Sequence, residues 1–496
     1  MKFSEQMNFI NYIENNLNVD QWIIDEICIW PLVRIQLGIQ LSYNEFKFNN
    51  KSSYFGKLGR MKELAEGHLR FLKAKIVDNS NNQSLANKRE VVFLGDQVSR
   101  VMLNDTWYDR FCNPFIEQLE KLGVSSFHME PLHQYKTPRY SPSFFIQPYL
   151  DYLTIRSINR HPTLYNDLPF VDDFLKFQNI LRDSNISFIY SDINYLAKII
   201  SRLKLYSEWF RNLMLKVCPN IGFVVGYYGI EGMAFNLACL KLGIPSVDIQ
   251  HGVHGDLHYA YNRWESAPEQ GYELLPTYFW CWSQSEADKI DNWTRYSKRH
   301  KPIVGGNPWL NIWQHKTNLV ATNTEQLNRI PNFNKYSRRI LFTLQPYYAN
   351  YGLFSWILDV IKIFPDWLWL IRLHPNMHND RNAIKNILSG FNNVEIEYAT
   401  DLPLPCILRN VDVHVTHSSS TVIEAEYYGI LSIVLNEMGR ELYLDKIESN
   451  RVKVAFGSEQ LISLLNEKPI NKSQSWEVVD FEKSLRMLLK SVNLSK

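Results

Sequence analysis

The chain reads as an α/β protein in which two doubly wound parallel-sheet domains face a cleft, preceded by an added helical segment. Three observations predict this. Apolar runs recur at VVFLGDQ (Val91 to Gln97), IGFVV (Ile221 to Val225), RRILFTLQPYY (Arg338 to Tyr348), WLWLIRLHPN (Trp367 to Asn376) and VDVHVTHSSST (Val411 to Thr421), as expected of strands buried on both faces. Helical patterns such as FIEQLEKLG (Phe115 to Gly123) and FNLACLKLG (Phe235 to Gly243) return the chain between strands, the alternation of a parallel sheet. Polar and glycine residues gather where the runs end, which is where open parallel sheets bind ligands.

In chain order, Phe3 to Leu41 carry a helical pattern with an aromatic-rich middle, WIIDEICIWPLVRIQL, in which Pro31 begins or kinks a helix. Between Tyr54 and Val77, Lys57, Arg60, Lys62, Arg70, Lys73 and Lys75 alternate with Leu, Met and Phe at helical spacing. Such a basic amphipathic helix reads as a solvated helix packed on a domain or as a peripheral contact with an anionic membrane. The polar run Asp78 to Glu90 follows as a linker, so residues 1–88 form the helical extension.

Residues 89–310 are the first Rossmann-like domain, with Gln134 to Arg211 as an unplaced insertion suited to shaping an acceptor groove. Its last ordered part, Ile221 to Leu257, reads strand, turn, helix, strand, loop, and the loop holds Gln250, His251, Gly252, His254, Gly255 and Asp256. Glycines beside histidines let a backbone approach a ligand while the rings project from a strand end. Gln314 to Asn334 is a polar interdomain connection. Residues 335–470 are the second domain, and 471–496 a terminal helix expected to pack back on the first.

The second domain carries the densest candidate site. Gln345 ends one strand, His374 another with Pro375 fixing it in extended or turn backbone, and Ser418, Ser419, Ser420 and Thr421 stand between a strand ending near Thr416 and a helix beginning near Val422. Hydroxyls and free N–H groups at a helix start make an uncharged anion cradle. Glu424, one turn in, can accept both hydroxyls of a ribose. A lone hydroxyl run is often an ordinary helix cap and a lone His-Pro a turn; the order of all these features points to a nucleotide-phosphate site.

At these residues the chain resembles a known group. RLHP and THSSST look like the HP and SS motifs of bacterial sialyltransferases, polysialyltransferases and the glycerophosphate transferases of teichoic-acid synthesis, and EAEYYG is similar to the Glu-Ala box of GT-B glycosyltransferases and UDP-sugar 2-epimerases. The resemblance implies a GT-B fold and a cytidine nucleotide donor, with His374 and Ser418 to Ser420 on the phosphates and Glu424 on the ribose. Gln250-His251-Gly252 looks like the His-Gly base loop of the glycerophosphate transferases rather than the acidic loop of sialyltransferases. The base therefore stays open between His251 and a carboxylate, Glu231 or Asp96, with Gln250 and His254 as further cleft residues. Gly305 to Pro308 resemble the Gly-Asn-Pro turn that precedes a donor domain.

Composition bounds the rest. The 496 residues suffice for two or three cored domains, and a net charge of +2 makes nucleic acid an unfavoured partner. Six cysteines without metal-ligand spacing read as thiols of a reducing cytoplasm. No run approaches the roughly 18 apolar residues of a membrane span. With no Asp-x-Asp motif at a first-domain strand end, no metal or other cofactor is expected. The expected activity is an inverting, metal-independent glycosyltransferase, with a CMP-activated acidic sugar as donor and a lipid-linked or oligosaccharide acceptor in capsule or O-antigen synthesis. The alternatives are a CDP-polyol phosphotransferase of teichoic-acid type, a UDP-sugar 2-epimerase-like enzyme, and a non-catalytic glycan-assembly subunit.

Overall fold

The computed structural model describes residues 2–45, 87–96, 100–131, 138–158, 168–315, 325–331, 333–346, 348–467 and 479–494. The basic segment from Tyr54 to Val77, and with it the question of membrane contact, lies outside them. Among the described residues no helix is long and apolar enough to cross a membrane.

Helices Phe3–Asn16 and Trp30–Glu45 are joined through a short hairpin of β1 (Ile23–Ile24) and β2 (Ile27–Cys28). Pro31 stands in the first turn of the second helix, where its missing N–H costs nothing. Glu14 and Arg34, both fully buried, pair at 2.9 Å, and Trp30 Nε1 donates to the same carboxylate at 2.7 Å. Arg34 also donates to the carbonyls of Asn262 and Arg263 at 2.9 and 2.8 Å, which bolts the helical unit to the loop after His251.

After the extension comes β3 (Val91–Leu94), then a hairpin of β4 (Arg100–Leu103) and β5 (Thr106–Asp109). The first sheet continues with β6 (Ser126–Glu130), β7 (Phe144–Phe145), β8 (Ile221–Val225), β9 (Ser246–Ile249), β10 (Tyr278–Cys281) and β11 (Lys301–Val304). Its order is β11-β10-β9-β8-β3-β6-β7, parallel throughout. Alternation along β3 explains why it reads as a continuous apolar run. Val91 and Phe93 enter one core with Phe115 and Phe223, while Val92 and Leu94 enter the opposite core with the helical unit.

The second sheet comprises β12 (Arg338–Thr343), β13 (Trp367–Arg372), β14 (Val394–Glu395), β15 (Val413–Thr416), β16 (Leu431–Val434) and β17 (Val452–Val454). Its order is β14-β13-β12-β15-β16-β17, again all parallel. Two parallel-sheet α/β domains with an N-terminal helical segment make this a GT-B-like fold.

The insertion behaves differently from its expected role. Helices Gln147–Ile158, Val171–Asp183 and Ile193–Val217 join the core of the N-terminal unit, where Trp22 packs against Phe170, Phe174 and Phe177. Their apolar stripes are spent on this packing, and none of their residues lines the chambers of the cleft. The terminal helix Phe481–Ser491 lies on the first domain, with Phe481 5.0 Å from Phe115 between ring centroids and Ser484 Oγ donating to Val304 O at 3.0 Å.

Candidate functional site

In each sheet the chain runs outward on one side of its first strand and then returns to the other side, so the strand order reverses between β3 and β8 and between β12 and β15. A crevice opens at the carboxyl ends beside such a reversal. Here the two crevices meet. A chamber of about 130 Å³ takes Arg110, Phe111 and His251 from the first domain and Thr343, Arg372, His374, Ser419, Ser420, Thr421 and Glu424 from the second. The structure thus brings His374, the later hydroxyls, Glu424 and His251 to one place.

Each polar group there is set by local structure. His374 follows β13 by two residues, and its Nδ1 accepts from Asn376 N at 3.2 Å. Burial, aided by the Arg110 guanidinium, draws its pKa down to about 4. At neutral pH the ring is neutral with Nδ1 as acceptor, which leaves Nε2–H as a donor. Arg372 closes β13, donates to the carbonyls of Ala399 and Leu402 at 2.7 Å each, and is pulled down to about 10 by burial. The buried Nε of Arg110 has no hydrogen-bond partner among the described residues. Burial pushes the Glu424 carboxyl up, and Arg110 and Arg372 pull it back.

The hydroxyls divide by task. Ser419 Oγ and Thr421 Oγ1 bond each other at 3.0 Å. Ser420 is the residue before helix Thr421–Tyr427, yet its side chain makes no capping bond, so it stays open to a ligand. Ser418 is held from behind: Gln345 Oε1 accepts from its N–H at 2.8 Å and from its Oγ at 3.2 Å, and Tyr348 OH meets that Oγ at 3.0 Å. Gln345, expected on the nucleotide, lines neither chamber and shapes the hydroxyl loop instead.

His251 stands on the wall of this chamber and also on that of a second, about 500 Å³, lined by Phe3 and Ile39 of the helical unit, Tyr228, Tyr259 and Tyr261, and by Met438 and Leu442. Its Nδ1 donates to Ile249 O at 3.3 Å, which fixes the proton there and leaves Nε2 as the acceptor for Tyr228 OH at 2.9 Å. Burial lowers its pKa, partly offset by the Ile249 carbonyl and by Asp96. A neutral imidazole whose Nε2 lone pair meets a hydroxyl, here that of Tyr228, is the form a general base needs.

The other expected cleft residues fall elsewhere. Gln250 is fully buried, joining Glu286 at 2.6 Å, Gly252 O at 2.8 Å and Trp282 N at 2.6 Å, and it holds the loop rather than facing the cleft. His254 touches the larger chamber with its ring stacked 3.5 Å from that of Tyr261. Asp96 acts on His251 at a distance but lines neither chamber. Glu231 is in the first turn of helix Ile230–Lys241, where its charge acts on Tyr206 of the insertion, and it too lines neither chamber. A carboxylate early in a helix is accounted for by the helix dipole.

Sequence reasoning missed Arg110 and Arg372. Arg372 lay in the quoted RLHP run, one position before its leucine; Arg110 carried no motif. It also missed Asp248, a buried strand carboxyl pushed up to about 7 by burial, which accepts from Tyr227 N at 3.0 Å and Tyr261 OH at 2.9 Å and so fixes the aromatic wall.

No family model matches the sequence, and no curated protein does. Among solved structures, the chain is similar to a Staphylococcus aureus MnaA–UDP co-structure, with TM-score 0.50, 13% identity, and 82% of this chain and 97% of that one covered. It is also similar to UDP-GlcNAc 2-epimerase from Neisseria meningitidis bound to UDP-GlcNAc, with TM-score 0.47, 16% identity and coverage of 82% and 99%. A further match is the glycosyltransferase SnogD from Streptomyces nogalater, with TM-score 0.38, 11% identity and coverage of 82% and 96%.

Proposed function

We propose that this chain is an enzyme that breaks the bond between the anomeric carbon of a sugar and the phosphate of its nucleotide carrier. The observation that carries the reading is the small chamber in which Arg110, His374, Ser419, Ser420, Thr421 and Glu424 share a wall with His251. Guanidinium, imidazole N–H and hydroxyl donors fixed in place stabilise charge that develops on a leaving phosphate. In this reading Arg110, the Nε2–H of His374 and the hydroxyls take the phosphates, and Glu424 takes the ribose hydroxyls. UDP comes ahead of CMP as the nucleotide to test, because the S. aureus neighbour was solved with UDP.

Two reactions begin with this bond cleavage, and His251 Nε2 can serve as the base in either. In 2-epimerisation it removes the proton on C2 of the sugar, and the nucleotide sugar is the whole substrate; the UDP of the S. aureus neighbour fits that economy. In glycosyl transfer it takes the proton of an acceptor hydroxyl that attacks the anomeric carbon. The larger chamber on the far side of His251 favours this second reading, since it has room and aromatic walls for a glycan or lipid-linked acceptor.

The test is a thermal-shift series with UDP, CMP, CDP and GDP, followed by turnover of UDP-N-acetylglucosamine, CMP-sialic acid and CDP-glycerol in D2O, with and without octyl glycosides as acceptors. A preferred nucleotide stabilises the fold by mass action. Deuterium entering C2 without acceptor identifies epimerisation, and nucleotide release that needs the glycoside identifies transfer. If no nucleotide raises the melting temperature and no donor is consumed, the reading is wrong.

A further inference from the structure

Behind the turn that presents Arg110 lies a second cluster of buried polar side chains. Asp109, Cys112 and His128 are all buried, and each offers one donor atom within 4.8 Å of the others. Asp109 ends β5, Cys112 opens helix Cys112–Lys121, and His128 is in the middle of β6. The Oδ1 of Asp109 is occupied, accepting from Phe111 N and Cys112 N at 2.9 Å each. Among the described residues its Oδ2 has no hydrogen-bond partner, and neither ring nitrogen of His128 has one.

These three side chains converge on one spot. A Cβ placed on Gly95 would lie 2.6 Å from His128 Nε2, 3.1 Å from Asp109 Oδ2 and 3.3 Å from Cys112 Sγ, so the missing side chain keeps the space between the donors clear. Asp109 Oδ2 and His128 Nε2 are 3.6 Å apart. That is longer than a hydrogen bond and falls within the separation of about 3.3–3.8 Å that metal bonds of about 2.0–2.3 Å give between tetrahedral ligands. Buried polar atoms without partners require an explanation, and an ion held by Asp109 Oδ2, His128 Nε2 and Cys112 Sγ supplies one for the first two.

We propose that Asp109, Cys112 and His128 bind a divalent transition-metal ion of the zinc class, buried in the first domain and separate from the cleft. One thiolate, one imidazole and one carboxylate select such an ion over magnesium or calcium, which prefer all-oxygen sets. Binding requires the thiolate, so the Cys112 proton passes to solvent as the Zn–S bond forms. Glu130 Oε1, tied down by Arg100 Nε at 2.8 Å, lies 3.6 Å from the same His128 Nε2 and borders the donor cluster on that side. The ion joins β5, the helix start and β6, and so fixes the turn that carries Arg110 and Phe111 into the phosphate chamber. The assignment stands independently of what the chamber binds.

The experiment uses the full chain, purified without a polyhistidine tag, stripped with a chelator and reloaded with Zn²⁺ or Co²⁺ alone. Elemental analysis should find stoichiometric zinc after reloading, and the Co²⁺ form should show a thiolate-to-metal charge-transfer band. Cys112→Ser should lose that band and the bound metal, whereas Cys218→Ser, at the exposed cysteine, should keep both. If Cys112→Ser does not fold, the chain as it stands still decides: its melting temperature should fall on chelation and return with Zn²⁺. A folded, stripped chain that takes up no Zn²⁺, or binds Co²⁺ without a thiolate band, overturns the site.

Discussion

The two walls of the cleft are built in different ways. On the second-domain wall, Arg372 and His374 at β13 and Ser419 to Thr421 after β15 stand at or just past the carboxyl ends of strands in one sheet, and Glu424 lies in the helix that follows. On the first-domain wall, His251 follows β9 but its loop is secured by remote segments. Arg34 of the helical unit holds the carbonyls of Asn262 and Arg263, Glu286 holds Gln250, and Asp248 holds Tyr261. Both walls use long-range bonds, but those of the phosphate wall, such as Gln345 to Ser418, stay within its own domain, whereas the base wall is also secured by Arg34 of the helical unit. The phosphate wall should therefore tolerate changes in the helical unit, and the base wall should not.

The largest expected effect is at the base. His251→Gln should lower turnover of the preferred donor by about 10²–10⁴, the usual contribution of a positioned general base. Nucleotide binding by thermal shift should change little. Equal losses in binding and turnover would place His251 among the phosphate ligands and erase the distinction between the walls.

Next in size is the long-range support. Arg34→Met leaves the Glu14 carboxylate buried without its cation, a change that costs about 3–5 kcal/mol. The double variant Arg34→Met/Glu14→Gln should recover much of that stability while still releasing the Asn262 and Arg263 carbonyls. Denaturant melts of the two variants, with turnover of the double variant, separate the cost of an orphaned charge from the loss of loop positioning. A double variant with full activity would show that the loop holds itself.

On the opposite wall, His374→Ala should lower turnover by about 10²–10³, the scale of removing one donor from a developing anion. Stability should hold, because the ring is at the chamber surface and its one bond among the described residues is to Asn376 N of its own turn. Near-normal turnover would leave the hydroxyls and Arg110 to hold the phosphate without it.

How much of this was legible follows from the same contrast. Strands buried on both faces read as apolar runs, so β3, β8, β12, β13 and β15 and the polar residues at their tips could be found in order along the chain. The helix after the hydroxyls begins at Thr421, one residue before the expected Val422, and ends at Tyr427, two residues before Gly429, whose φ of +66° suits glycine. Groups whose role depends on distant partners were not legible. Gln345 and Gln250 were read as facing ligand, yet each turns back on its own loop, a choice made by Ser418 in one case and Glu286 in the other. Arg110 follows a four-residue strand too short for a clear alternation, and Cys112 meets His128 only because β6 folds beside β3. Cysteine spacing along the chain carried no sign of that meeting.

The smallest effect concerns the sheets themselves, each of which buries neutral histidines. His300, after the first sheet's helix Gln284–Thr294, and His414, inside β15, are both pulled down to about 3 by burial from an ordinary 6.5. A histidine that stays neutral when folded but takes a proton when unfolded lends stability above pH 6.5, and that stability drains as pH falls toward 3. Well below pH 6.5, each such residue should contribute a slope of about 1.4 kcal/mol per pH unit. His414→Gln should therefore flatten the fall in stability between pH 6 and pH 5, whatever it does to the absolute value through its bonds to Thr343 and Ser432. Urea melts at the two pH values read the difference directly. If the domains unfold in separate transitions, His414→Gln should flatten one and His300→Gln the other, whereas an unchanged slope in both would mean that these rings are already protonated in the folded chain.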